Sequence, residues 1–245
     1  MTYAKDMQKA FELSHILYMV FSIAIIIAVL IVIGKYCKTK RSKNIAIYIT
    51  SALLLVVLLW NRISLAVLGD KYNDPSALLL LPFSYCAFTN LFMPICAMIM
   101  YKNRNHNVFH CLVYISMIGG IATTIYPAMI VGVESTIFAT RTLSGMLHHS
   151  LGLFLALLLI VTREFTPNWR KAWCWLLGCC VIITFGLFQI QALGMENSME
   201  ISKPFIDDSK FFTWYWGGPT IGLGFVLAFA LAYEYIPKFI KRKHN

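Results

Sequence analysis

The chain has 245 residues, 59% of them hydrophobic and 13% charged, with a mean hydropathy of +0.69 and a formal net charge of +10. A soluble domain carries about 25% charged residues, so the composition excludes an ordinary water-soluble globule. It points to an all-α, polytopic membrane protein, since apolar runs of ~20 residues are what cross ~30 Å of hydrocarbon.

Seven stretches qualify as spans. They run from Ser14 to Tyr36, Ile45 to Gly69, Leu78 to Tyr101, Val108 to Pro127, Thr142 to Val161, Ala172 to Leu193 and Gly217 to Ile236. Polar connectors such as "KTKRSKN", "DKYNDPS", "KNRNHN" and "TREFTPNWRK" separate them, and nothing divides the chain, so residues 1–245 read as one transmembrane domain. The first span is not expected to be a cleaved signal peptide: it is too long, its basic run follows it, and no small-residue cleavage site appears. The longest connector ends in Phe211, Phe212, Trp214, Tyr215 and Trp216. Such rings favour the headgroup level, so this segment is expected on the membrane interface.

Basic residues set the expected orientation. Lys35, Lys38, Lys40, Arg41, Lys43, Lys102, Arg104, Arg163, Arg170, Lys171, Lys238, Lys241, Arg242 and Lys243 fall on one side; only Lys5, Lys9, Lys71, Arg141, Lys203 and Lys210 fall on the other. The positive-inside rule then puts the C-terminus in the cytoplasm and the N-terminus outside. Anionic lipid headgroups account for the net charge, and no nucleic-acid partner is expected.

Several chemistries lack their signatures. Cys86, Cys96, Cys111, Cys174, Cys179 and Cys180 lie within spans and Cys37 at a span end, with no paired CxxC spacing, so neither a disulfide framework nor a metal site is expected. No Walker loop, GxSxG, HExxH or GxGxxG occurs, and no cofactor is implied.

What remains is a coincidence of depth. Span 2 contains "LLWNRISLAV", an arginine inside an apolar run, with Trp60 and Asn61 before it. With the N-terminus outside, Arg62 lies about seven residues, or ~10 Å, below the outer surface. Cys86 in "LPFSYCAF" of span 3 and His148 and His149 in "RTLSGMLHHSLG" of span 5 fall at nearly the same level, and His15 lies near the outer end of span 1. Each has a bland explanation. Arg62 can snorkel to the headgroups, Cys86 can be packing, His15 can simply be wet, and adjacent histidines point ~100° apart, so only one faces a given site squarely. Together they have the makings of an acyl-transfer site, since an imidazole can take a thiol's proton and a guanidinium can hold a phosphate. Arg141, seven residues before His148, is expected to extend the pocket along the same helical face. Pro82 and Pro94 are expected to break the third helix on either side of Cys86, and Gly119 and Gly120 to let helix four approach a neighbour closely.

The order Trp60, "LPFSYC" (Leu81 to Cys86) with Pro94, "GG…YP" (Gly119, Gly120, Pro127), "HHSL" (His148 to Leu151) and "KP…WYWGGP" (Lys203 to Pro219) resembles the YwaF-type bacterial integral membrane proteins. That family is similar to a eukaryotic transmembrane acyltransferase family that remodels ether phospholipids, itself related in fold to the androgen-induced lipid hydrolases. The resemblance implies a multi-pass protein of the bacterial plasma membrane that acts on a phospholipid or lysophospholipid through an intramembrane cysteine and histidine. The cysteine falls on Cys86 and the histidine on His149, with His148 its close competitor. Ser84 stands where many relatives carry a histidine. On this reading the protein is a CoA-independent lipid acyltransferase or lipid hydrolase, with Arg62, Asn61, Trp60, Ser84, Arg141 and His15 around the lipid. The rival reading is a transporter or heptahelical binding protein that uses the same pocket for an anionic or lipid solute without chemistry. Neither fixes an oligomeric state.

Overall fold

In hydrocarbon a backbone N–H or C=O has no water to bond, so an apolar run must satisfy its own amides, and the helix does this within one segment. The computed structural model describes residues 12–69, 74–125, 136–202 and 217–243, with side chains to 237. Among these residues there is no strand and there are seven α-helices. They are α1 (Leu13–Tyr36), α2 (Lys40–Leu68), α3 (Tyr85–Ile99), α4 (Phe109–Ile125), α5 (Thr140–Val161), α6 (Trp173–Leu193) and α7 (Gly217–Lys243). The expected interfacial cluster (Phe211, Phe212, Trp214, Tyr215, Trp216) and Pro127 lie outside the described residues.

Seven helices stand in the expected order, and the third differs from its expected bounds. Among the described residues five helical stretches are long and apolar enough to cross a membrane, whereas α3 has 15 residues and the described part of α4 has 17. At 1.5 Å per residue the 15 residues of α3 reach about 22 Å. The third helix begins at Tyr85 rather than Leu78. A short 3₁₀ turn (Ala77–Leu80) leads to extended Leu81 and then Pro82, and the residue before a proline disfavours the helical region. Ser84 then caps the helix, its hydroxyl accepting from the Ala87 N–H at 3.2 Å. Pro94 lies inside α3 without ending it. Cys86 therefore sits in the first turn of one helix, not between two breaks.

Packing follows from the sequence of each helix. α2 turns Ile47, Ser51, Leu54, Leu58, Asn61, Arg62 and Leu65 to the interior, the three-and-four spacing of one helical face. That face packs on α3 and α5. α4 buries every residue from Phe109 to Met117, so it is surrounded rather than half-exposed, and together with α5 forms the centre of the bundle. α1 is the opposite case. Only His15 and Leu30 are buried along it, and it packs chiefly on α5. Its apolar surface suits lipid.

One end of the bundle is pinned by charge. The Glu164 carboxylate accepts from Lys40 Nζ at 2.7 Å and from Arg104 Nη1 at 3.1 Å. Arg104 is buried, donating from Nε to the Ala97 carbonyl (2.6 Å) and from Nη1 to Asn44 Oδ1 (2.6 Å). Lys43 Nζ donates to the Thr162 carbonyl at 2.8 Å. The start of α2, the turn after α3 and the end of α5 are thus tied at one level. Removing one partner of a buried pair leaves an uncompensated charge, which costs about 3–5 kcal/mol, whereas an exposed lysine contributes about 1 kcal/mol or less. Unfolding of purified protein in mixed micelles should therefore show a loss of about 3–5 kcal/mol for Arg104→Ala and about 1 kcal/mol or less for Lys40→Ala.

Candidate functional site

The opposite end of the bundle, where α2 and α4 finish and α3 and α5 begin, gathers the polar residues singled out in the sequence. Arg62 is buried and does not snorkel out: its Nη2 donates to Asn61 Oδ1 at 2.7 Å, and its guanidinium lies 4.7 Å from the centroid of the Phe83 ring. A charge–ring contact of this kind is worth ~2 kcal/mol when desolvated. Asn61 in turn donates to Ser144 Oγ at 3.1 Å, fastening α2 to α5. The Arg62 charge acts on both His148 and His149.

The two histidines do not diverge as neighbours on a helix would suggest. Their rings turn toward one another, with centroids 4.2 Å apart and planes tilted by 32°. His148 is buried, and its Nδ1 meets Asn90 Nδ2 at 3.0 Å. The same Asn90 nitrogen donates to the His148 carbonyl at 3.1 Å, and Asn90 Oδ1 accepts from Ser116 Oγ at 3.0 Å. One asparagine on α3 thereby joins α4 to α5. His149 is half-buried, with its Nδ1 3.3 Å from Thr123 Oγ1 on α4.

The partners of the two histidines, Asn90 and Thr123, each stand one helical turn from a residue of the Cys86–Gly119 contact. Asn90 is four residues further along α3, and residues at that spacing are neighbours on a helix face, with Cβ atoms about 5–6 Å apart. On α4, Gly119 faces the thiol so closely that a Cβ there would overlap the Cys86 sulfur, and Thr123 stands one turn beyond Gly119. The adjacent Gly120 packs instead on α5, where a Cβ would come to 3.0 Å from the His149 carbonyl oxygen and 2.6 Å from Leu153 Cβ. The two glycines thus serve different neighbours, and together they bring α3, α4 and α5 to one point. Cys86 is also the second residue of α3.

The other residues expected here occupy supporting positions. Ser84 caps α3. His15 is fully buried rather than wet, its Nε2 donating to the Thr124 carbonyl at 3.2 Å and holding α1 against α4. Arg141 donates to the Gly69 carbonyl at 2.7 Å, at the C-terminus of α2, where a cation meets the negative end of the helix dipole. Trp60 is half-buried on the flank of α2, and its carbonyl accepts from Ser64 Oγ at 2.9 Å.

Sequence reasoning did not single out Asn90, Ser116, Thr123, Phe83 or Gly152. A Cβ on Gly152 would overlap Asn90 Oδ1 and come within 2.8 Å of Ser116 Oγ, so that glycine makes room for the asparagine. A signal existed for Asn90, a lone amide one turn from Cys86 in an apolar helix, where a polar group is expensive and therefore purposeful. The segment after α6 also covers this end. Met199 N donates to the Phe83 carbonyl at 2.7 Å, and Asn197, Ser198 and Met199 are buried. Met199 and Glu200 hold φ of 51° and 54°, a strained region for side-chain-bearing residues. Glu200 is an electrostatic neighbour of Cys86.

Overpacking a helix contact costs about 1–3 kcal/mol. Gly119→Ala should cost that much and displace the thiol, read as a changed rate of Cys86 alkylation by mass spectrometry, while Gly224→Ala, which meets open space, should change neither.

No curated protein and no solved structure matches the chain. The TMEM164 family model matches residues 10–233, a stretch that includes all seven helices up to the last residues of α7 and every residue of the site. The chain belongs to the TMEM164 family, a family of transmembrane proteins.

Proposed function

We propose that the protein is a membrane-embedded acyltransferase that moves an acyl chain between phospholipids and lysolipids through Cys86 and His149, without coenzyme A. The observation that carries the reading is that Cys86 and the Thr123–His149 contact meet the same face of α4 one turn apart, at positions 119 and 123. The resemblance to the YwaF-type and ether-phospholipid acyltransferase families points the same way.

The chemistry balances without a cofactor. His149 takes the Cys86 proton as the sulfur attacks the ester carbonyl of a bound phospholipid. An S–C bond forms, the C–O bond to glycerol breaks, and the proton passes to the departing lysolipid alkoxide. The acyl group now rests on Cys86 as a thioester. His149 next removes the proton of an incoming lysolipid hydroxyl, whose oxygen attacks the thioester carbonyl, and the thiolate leaves and is reprotonated. If water replaces the hydroxyl, the outcome is hydrolysis. Arg62 supplies fixed positive charge for the lipid phosphate or the developing oxyanion.

On the positive-inside rule the N-terminus is outside and the basic end, with Arg104 and Lys40, is cytoplasmic. The thiol then works in the outer leaflet of a bacterial plasma membrane.

The test is acyl exchange between a defined phospholipid and a lysolipid in vesicles containing the purified protein. Cys86→Ala should fall to the protein-free background, and His149→Ala should lose about 10²–10⁴-fold, the usual contribution of a general base. Full activity of Cys86→Ala removes the mechanism and favours the non-catalytic reading, binding or transport of an anionic or lipid solute.

A further inference from the structure

Of the two adjacent histidines, His148 is the one whose hydrogen-bonding state the structure fixes. Asn90 Nδ2 carries two hydrogens and no lone pair able to accept. One points to His148 Nδ1 (3.0 Å) and the other to the His148 carbonyl (3.1 Å). The amide cannot be turned over: its oxygen would then face the His148 carbonyl oxygen at 3.1 Å, acceptor against acceptor, whereas the Ser116 hydroxyl suits either orientation. Nδ1 of the neutral ring must therefore be the acceptor, which leaves the ring proton on Nε2.

We infer that Asn90 is a positioning residue that holds His148 as the Nε2–H tautomer, so that His148 serves as a fixed hydrogen-bond donor while His149 alone serves as base. This deepens the acyl-transfer reading and rests on it for its catalytic meaning; the tautomer itself rests only on the hydrogen bonds. An imidazole with Nδ1 occupied and Nε2 protonated has no lone pair with which to take a thiol proton. It has one N–H to aim, in the same cluster as Arg62, at the oxygen that gains charge when the ester or thioester carbonyl is attacked. A donor fixed in advance is the economical way to stabilise that oxygen, because nothing need reorient during the reaction. The fixing extends over three helices. Ser116 on α4 bonds the amide of Asn90, Asn90 sets the ring of His148, and Gly152, one turn after His148 on α5, leaves the space in which the amide lies.

Two measurements decide it. In the full-length protein, labelled with ¹⁵N-histidine in micelles and with the His148 signals identified by their loss in His148→Gln, the wild-type ring should show a protonated Nε2 and an unprotonated Nδ1. Asn90→Leu should remove that preference. A wild-type His148 with its proton on Nδ1 overturns the inference, even if Cys86 and His149 still transfer acyl groups. In the vesicle assay His148→Leu should lower kcat about 100-fold, the usual cost of one oxyanion donor, with KM unchanged. His148→Gln, which places an amide N–H near the Nε2 position but cannot act as a base, should recover most of that loss; His149→Gln should recover nothing relative to His149→Leu. Equal loss in His148→Leu and His148→Gln overturns the donor role. Activity that survives Cys86→Ala would instead defeat the acyl-transfer reading and leave the tautomer standing.

Discussion

A bundle in hydrocarbon cannot leave a polar side chain to water, and the arrangement of this protein's interior follows from that constraint at a single residue, Asn90. Its amide donates twice to α5 and accepts once from α4 while standing on α3. Three helices must therefore hold a definite rotation and height for one side chain to be satisfied, because an unpaired polar group in a low-dielectric interior costs far more than a made hydrogen bond returns. The small residues around it follow from the same need. Gly152 leaves room for the amide, and Gly119 and Gly120 let α4 close on α3 and α5. In a membrane, where apolar surface alone gives helices little reason to associate, close approach and interhelical hydrogen bonds are what bring them together.

The bundle is polar at its two ends for different reasons. Around Glu164, Arg104 and Lys40, opposite charges are paired and the groups are spent on one another and on backbone carbonyls. That end sets register. Around Arg62, His148, His149 and Cys86, a guanidinium, two imidazoles and a thiol gather with amide and hydroxyl partners from three helices.

Much of this was legible in the chain. The apolar runs gave seven helices in order, because backbone satisfaction in lipid leaves a run of that composition little alternative. Arg62, Cys86 and the histidine pair could be placed at one end because helices in an up-and-down bundle have a depth that residue counting measures. Less legible was which polar residue is spent on structure. Arg141 and His15 carry the same chemistry as Arg62 and His149, yet one meets the end of α2 and the other pegs α1 to α4. Counting residues gives height along a helix; it does not give the neighbour across the interface.

The sequence by itself determined the helical class, the order of the elements and the end of the bundle at which Arg62, Cys86 and the two histidines lie, since all three depend on local composition and on spacing along one helix. Only the tertiary structure decided that Asn90 orients His148, that Thr123 meets His149, that Gly119 faces the thiol and that the third helix starts at Tyr85. Each of these depends on the rotation of one helix against another or on a chain turning at Pro82. Such rotations are fixed by side chains distant in sequence that must satisfy one another at once.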